Sequence, residues 1–423
     1  MRTYQELFRT PEFTPFFSTV AAGIAASTVS GIALGTLVYS ATHSPLLAAL
    51  SMFGSSFAQV IGAAFLLSAA DRLPPRATLT ALAGCFGVGT AVLALPGLPL
   101  GAMFAVILAL GLLSSLGGGV RYGLLSEILP KDGYVLGRSA TNLAVGAMQI
   151  CGYAAGGALV AAFSPRGTLL VAAALGLVGA AVARFGLSAR PPRTAGRPTV
   201  GETWRTNARL WSSRPRRYVY LALWVPNGLI VGCEALFVPY APRYAGLLFA
   251  VAAAGMLTGD LLVGRVVPQR WRVRLAAPLR LLLAAPYLVF ALRPPLPLAA
   301  VAVLLASAGY AASLVLQERL IALTPEQVHG QALGLHSSGM LTMQAVGATL
   351  AGLLAQRLAP AETMAVLAGA SVMVTLLLGR GLRGEVGVNG EVGGAGGVGG
   401  AGGVDDLGPE SGPEPAVSVV STP

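Results

Sequence analysis

Apolar runs of about 18–25 residues recur almost end to end in this chain, the length an α-helix needs to cross a bilayer core. Charge is confined to the short stretches between them. Only helices and closed barrels satisfy every backbone polar group inside lipid. Breaking the runs at charge, Pro and Gly clusters gives twelve segments. The first six are 14–38, 45–69, 77–96, 99–124, 139–163 and 167–187. The other six are 218–240, 245–267, 275–292, 296–317, 331–356 and 361–380. Only 11% of the residues are charged, against about 25% in soluble domains. Too few polar residues remain to cover a soluble surface. The expected fold is an all-α membrane protein with twelve transmembrane helices.

The net charge of +11 would point to nucleic acid in a soluble chain. Here the arginines sit at helix ends, so no nucleic-acid partner is expected. With the N-terminus inside, the cytoplasmic face collects Arg72, Arg76, Lys131, Arg138, the central stretch, Arg270, Arg272, Arg274, Arg319, Arg380 and Arg383. The outer face keeps Arg166, Arg243, Arg293 and Arg357. This positive-inside asymmetry predicts a multi-pass protein of the plasma membrane with both termini in the cytoplasm. The chain starts with a mixed polar segment that leads straight into a full-length span, and no cleavable leader is read there. Cys85, Cys151 and Cys233 lie far apart in apolar runs and read as packing residues. No disulfide, metal site or cofactor is expected.

The central stretch 188–217 holds eight arginines and one glutamate, a net of +7. Its second part, GETWRTNARLWSSRPRR, places Trp204 and Trp211 on one helix face. That predicts a short interfacial helix anchored to membrane lipid by indoles and arginines. Residues 384–423 carry six acids and no basic residue in a Gly- and Pro-rich tail, which predicts disorder. Between these pieces lie two six-helix units, 1–187 and 218–383.

The two units repeat one another. Asp71, Arg72 and Arg76 follow span two; Asp260, Arg265 and Arg270 follow span eight at the matching place. Gly137 matches Gly330, and Gly156 or Gly157 matches Gly352, at an offset of about 190 residues. Two pseudo-symmetric bundles follow. With twelve spans, a long basic central loop and Asp-Arg-x-x-x-Arg in SAADRLPPR, the chain resembles the major facilitator superfamily over residues 10–383. The resemblance implies that Asp71, Arg72 and Arg76, with Asp260 and Arg265, form a cytoplasmic gate that rocking of the halves breaks. The usual glycines four residues before and after the Asp are Leu67 and Pro75 here. In span five, Gly152 to Gly157 reads GYAAGG, where proton-coupled drug antiporters of that superfamily carry Gly-Pro-x-x-Gly-Gly. Gly152, Gly156 and Gly157 therefore read as helix-packing glycines, with Tyr153 in the proline position.

Charges inside spans are costly and usually functional. Glu234 lies sixteen residues into span seven, deeper than any other carboxylate. A carboxylate taken out of water can load and release protons near neutral pH, which makes Glu234 the proton-coupling candidate. Arg121 in span four is a candidate for substrate or coupling, as are Asn142, Gln149, Trp224, Asn227 and His336. Arg121, Glu127, Arg280, Glu318 and Arg319 are also expected in ion pairs of the cytoplasmic half or snorkelling at its interface. A lining with few charges and many apolar walls suits lipophilic or amphipathic molecules.

The function expected is a secondary transporter with alternating access, a proton-coupled exporter acting as a monomer. Uptake of a small metabolite and a non-transporting sensor stay open as alternatives. No GxxxxGK[ST] motif is present, so ATP is not the direct fuel. His43, His329 and His336 are scattered, and the chain offers no enzyme-like constellation.

Overall fold

A computed structural model describes residues 4–70, 74–191, 200–325 and 328–383. The tail and residues 71–73, with Asp71 and Arg72, lie outside the described residues. The described chain is helical and contains no strand. Its elements are α1 (Tyr4–Phe8), α2 (Phe13–Thr42), α3 (Pro45–Ala70), α4 (Pro75–Leu93), α5 (Leu100–Ile128) and α6 (Lys131–Gly186). The short α7 (Val200–Ser212) follows, then α8 (Arg214–Ala235), α9 (Phe237–Tyr240), α10 (Ala245–Leu261), α11 (Gln269–Ala284), α12 (Leu296–Ala308), α13 (Ala312–Ala322), α14 (His329–Leu354) and α15 (Pro360–Arg383).

Ten stretches are long and apolar enough to cross a membrane. One of them, Ala144–Gly186, holds two spans. Ser164 leaves the helical region at φ 73°, and Pro165 restarts α6 as a second helix. With its 26 residues, α14 is also long enough, which brings the spans to twelve. Spans seven to ten bend rather than break. A π turn (Leu262–Val266) extends α10, a 3-10 stretch (Ala285–Leu292) extends α11, and a 3-10 turn (Gly309–Ala311) joins α12 to α13.

An even number of spans leaves both ends of the bundle array on one side, the termini end. At the opposite, far end the two halves meet through small residues. A Cβ added at Gly157 in α6 would stand 2.6 Å from the Gly246 Cα in α10. One added at Gly352 in α14 would stand 2.6 Å from the Leu46 Cα in α3. Each glycine of one repeat pair thus sits on the seam, with no side chain between the helices. Around it, Phe237, Phe249, Tyr287 and Phe290 form a core, and Tyr39, Met52 and Tyr153 of the first half pack against it. Within the first half, Gly152 and Gly156 let α6 lie on α2, where a Cβ would meet Thr28 and Val29. The start of the chain takes part in packing too. In α1, Leu7 is fully buried, and Phe8 packs edge-on to Phe13 and Phe17 with centroids 5.2 and 5.0 Å apart.

The central stretch does form a helix, α7, but its two indoles part company. Trp204 is 66% exposed. Trp211 turns to the protein and stacks on Trp224 of α8, centroids 5.6 Å apart and planes at 7°. Leu210 is buried beside it. Arg216 donates to the carbonyls of Arg209 and Leu210, and Gln331 of α14 donates to Asn207. One face of α7 is thus docked on the second half.

Candidate functional site

Glu234 is the next-to-last residue of α8 and is half-buried. The Tyr310 hydroxyl, from the 3-10 turn between α12 and α13, donates to its Oε1 at 3.1 Å. Tyr287 and Tyr153 both lie within electrostatic reach of the carboxylate. Tyr153 comes from α6 in the other half and stacks on Phe249 of α10 at 4.9 Å. So the residue that departs from the antiporter pattern carries the first half to Glu234. None of the three tyrosines was singled out from the sequence as a site residue.

Tyr153 also lines a pocket of about 150 Å³ with Gln149, Ser27, Thr28, Met52 and Phe53. A larger cavity, of about 420 Å³, shares Ile24 and Ser27 with it. It runs along α2 from Ser27 back to Phe16, toward the termini end. Arg121 of α5 lines this cavity, with Gln59, Ser114, Phe86, Leu82 and Leu125. Gly117 lies one turn before Arg121, and the guanidinium would stand in ordinary contact, 3.4 Å, from a Cβ added there. The two spaces adjoin at Ile24 and Ser27, one on the side of the termini end and the other at the level of Gln149.

The other expected site residues fall elsewhere. Trp224 is buried; its Nε1 donates to the His336 carbonyl at 3.1 Å, and Gly339 faces its ring. His336 and Asn227 are buried as well, and the His336 Nδ1 and Asn227 Oδ1 have no hydrogen-bond partner among the described residues. These three belong to the packing of α8 against α14 rather than to the lining of the two spaces. Asn142 lies on α6, its side chain outside the described residues.

At the termini end, Arg76 donates to the Leu187 carbonyl at 3.4 Å, tying α4 to the end of α6. Asp260 is half-buried and Arg265 exposed. Neither side chain has a hydrogen bond or ion pair among the described residues. The ion pair found in that region is Arg272 with Glu318, at 2.9 Å; Arg272 also donates to the carbonyls of Gly264 and Val267. The matching corner of the first half holds Arg190, 2.6 Å from Glu12 and 3.7 Å from Glu127. Burial pushes the Glu12 carboxyl up, but hydrogen bonds from Ser188 and Arg190 and the Arg190 charge outweigh it, and the carboxyl is held below its ordinary value of 4.5. Arg280 was expected in an ion pair or at the interface. It is instead 2% exposed, on the helix α11 that packs against α12 and α13.

The sequence profile of the Major Facilitator Superfamily matches residues 16–245, more than half of the chain. The chain belongs to the major facilitator superfamily. Among solved structures it is similar to a POT family transporter in complex with a thioalcohol-conjugated peptide: TM-score 0.68, 15% identity, 86% of this chain and 95% of that one covered. It is also similar to a bacterial homologue of the human lysosomal transporter Spinster, inward-facing and unoccupied: TM-score 0.64, 14% identity, 88% and 95% covered. A third is the xylose transporter XylE from E. coli, inward open: TM-score 0.65, 12% identity, 86% and 95% covered. No curated protein matches the sequence. As a major facilitator the chain is a membrane-embedded secondary transporter for a small molecule, and the two cavities are lined by residues of its first half.

Proposed function

We propose that the chain exports a lipophilic or amphipathic small molecule across the plasma membrane and takes up protons at Glu234. The observation that carries this is the Glu234–Tyr310 pair. It is a half-buried carboxylate with a hydroxyl donor, set deep in a span and next to the pocket that Tyr153 lines. Such a group can change charge as the two halves rock, which couples protons to alternating access. The termini end is the cytoplasmic one, by the excess of arginine in its loops. The seam is closed at the far end and the cavities extend toward the termini end, which supports an inward-facing state. Two of the similar structures are themselves described as inward-facing or inward open. Trp204 and the arginines of α7 lie at the inner leaflet, and one copy of the chain holds both spaces.

The test is energised efflux of a panel of amphipathic dyes from bacteria lacking their own major pumps. Wild type, Glu234→Gln and empty vector are compared with and without a protonophore. Efflux should be faster for wild type alone and should collapse with the protonophore. Efflux no faster than the empty vector for every dye overturns broad export. Unchanged proton-driven efflux in Glu234→Gln removes the carboxylate from coupling.

A further inference from the structure

We infer that the transported molecule has an uncharged head that both donates and accepts hydrogen bonds, such as an amide or a urea, on an apolar body. The inference rests on the export reading above and names its substrate class. The smaller pocket decides it. Among the described residues, no Asp, Glu, Lys, Arg or His lines it. Of its polar side chains, Thr28 is turned to its own helix and donates to the Ile24 and Ala25 carbonyls, both at 3.0 Å. Ser27 and Gln149 are left over: neither side chain has a hydrogen bond among the described residues. Ser27 is exposed and Gln149 half-buried. The ring of Phe53 and the Met52 side chain supply apolar wall.

A glutamine amide offers one acceptor and two donors, and a serine hydroxyl plays both parts. Together they match a head that carries a carbonyl and an N–H. A charged head would leave water and meet no opposite charge in this pocket, which is costly. At about 150 Å³ the pocket suits a head group, and the adjoining cavity of about 420 Å³ suits the body. Much of that cavity's wall is apolar, with Val20, Leu79, Leu82 and Phe86. Its Thr19, Ser114 and Thr141 donate to the carbonyls of Pro15, Leu110 and Gly137 on their own helices. Gln59 adds a second neutral amide there. Arg121 also lines the larger cavity, but it already has an interaction within the protein and is not free to pair with an anionic head.

The full-length protein is placed in phosphatidylcholine nanodiscs and titrated with tritiated phenylbutanamide. Unlabelled phenylbutyrate and phenylbutylamine, which share its body and differ in head charge, are the competitors. Saturable binding of the amide is expected, with each charged analogue about tenfold weaker or worse. The dimethylated amide, which has lost its N–H donors, should be about tenfold weaker too. Gln149→Leu and Ser27→Ala should each weaken amide binding about fivefold or more. Gln149→Glu separates recognition from folding: it should bind the amine better than wild type does and the amide worse, whereas a misfolded variant binds neither. No saturable amide binding, a charged analogue that binds as well as the amide, or amide binding unchanged in both Gln149→Leu and Ser27→Ala overturns the inference. The same protein in proteoliposomes is then given an inward proton gradient. Amide that binds but is not moved by the gradient keeps the neutral head and sinks the export reading. Amine moved by the gradient, with no amide bound, does the reverse.

Discussion

Removing one oxygen probes the centre of the site. Tyr310→Phe keeps the ring but takes away the donor that Glu234 has at 3.1 Å. A hydrogen bond to a charged group contributes about 1.5–3 kcal/mol, so proton-driven transport should fall about tenfold or more. Substrate exchange without a gradient should persist, as measured by counterflow in proteoliposomes; loss of both would make the pair structural. Glu12 gives a second reading, by pH. Its carboxyl is held below 4.5 in the folded protein by Ser188 and Arg190. The stability this contributes is present above the ordinary value and is lost as pH falls through the depressed one. Glu12→Gln should therefore lower the melting midpoint at pH 7, and its difference from wild type should shrink below pH 4.5. Glu234 was legible in the sequence because a lone carboxylate deep in an apolar run is hard to explain otherwise. Tyr153, Tyr287 and Tyr310 were not. A tyrosine in an apolar run reads as packing, and only the fold brings three distant stretches around one carboxylate.

At the scale of elements, α7 and α6 make separate predictions. Trp211 anchors α7 through its stack on Trp224, and such pairs contribute about 0.5–1.5 kcal/mol beyond burial. Trp211→Ala should speed amide exchange across 200–212 and leave the spans protected, read by mass spectrometry. Equal protection would mean that the polar ties to Arg216 and Gln331 suffice. In α6, Gly157→Val would drive a side chain into the Gly246 backbone, which cannot swing aside as a side chain can. The far end should then stay parted. In a cysteine-free background, Thr141→Cys should become less reactive toward an impermeant maleimide added at the termini end. Run length alone placed the twelve spans, since few sequences can spend that many apolar residues any other way. It placed the ends less well: α5 continues to Ile128 and α6 starts at Lys131, beyond the apolar runs, because a helix need not stop where lipid stops. Which way α7 turns its indoles was hidden, because both tryptophans fit the same helix face and only the docking partner tells them apart.

For the whole molecule, substrate charge sets the energetics of the cycle. One proton entering against one neutral molecule leaving carries one positive charge inward, whereas exchange against a monocation carries none. An inside-negative potassium diffusion potential, with no pH gradient, should by itself accelerate efflux of an uncharged amphipathic dye from proteoliposomes. Indifference to that potential would exclude this exchange.

The seam sets how the molecule switches. Gly157 meets Gly246, and Gly352 meets Leu46, backbone against backbone. What holds them is dispersion, which a gap of about 0.5–1 Å already cuts by a quarter to a half. A joint of that kind behaves as a snap and not as a spring: it is shut or it is gone. Watched one molecule at a time with fluorophores across the termini end, the transporter should jump between two steady levels, with dwell times that vary and a step height that does not.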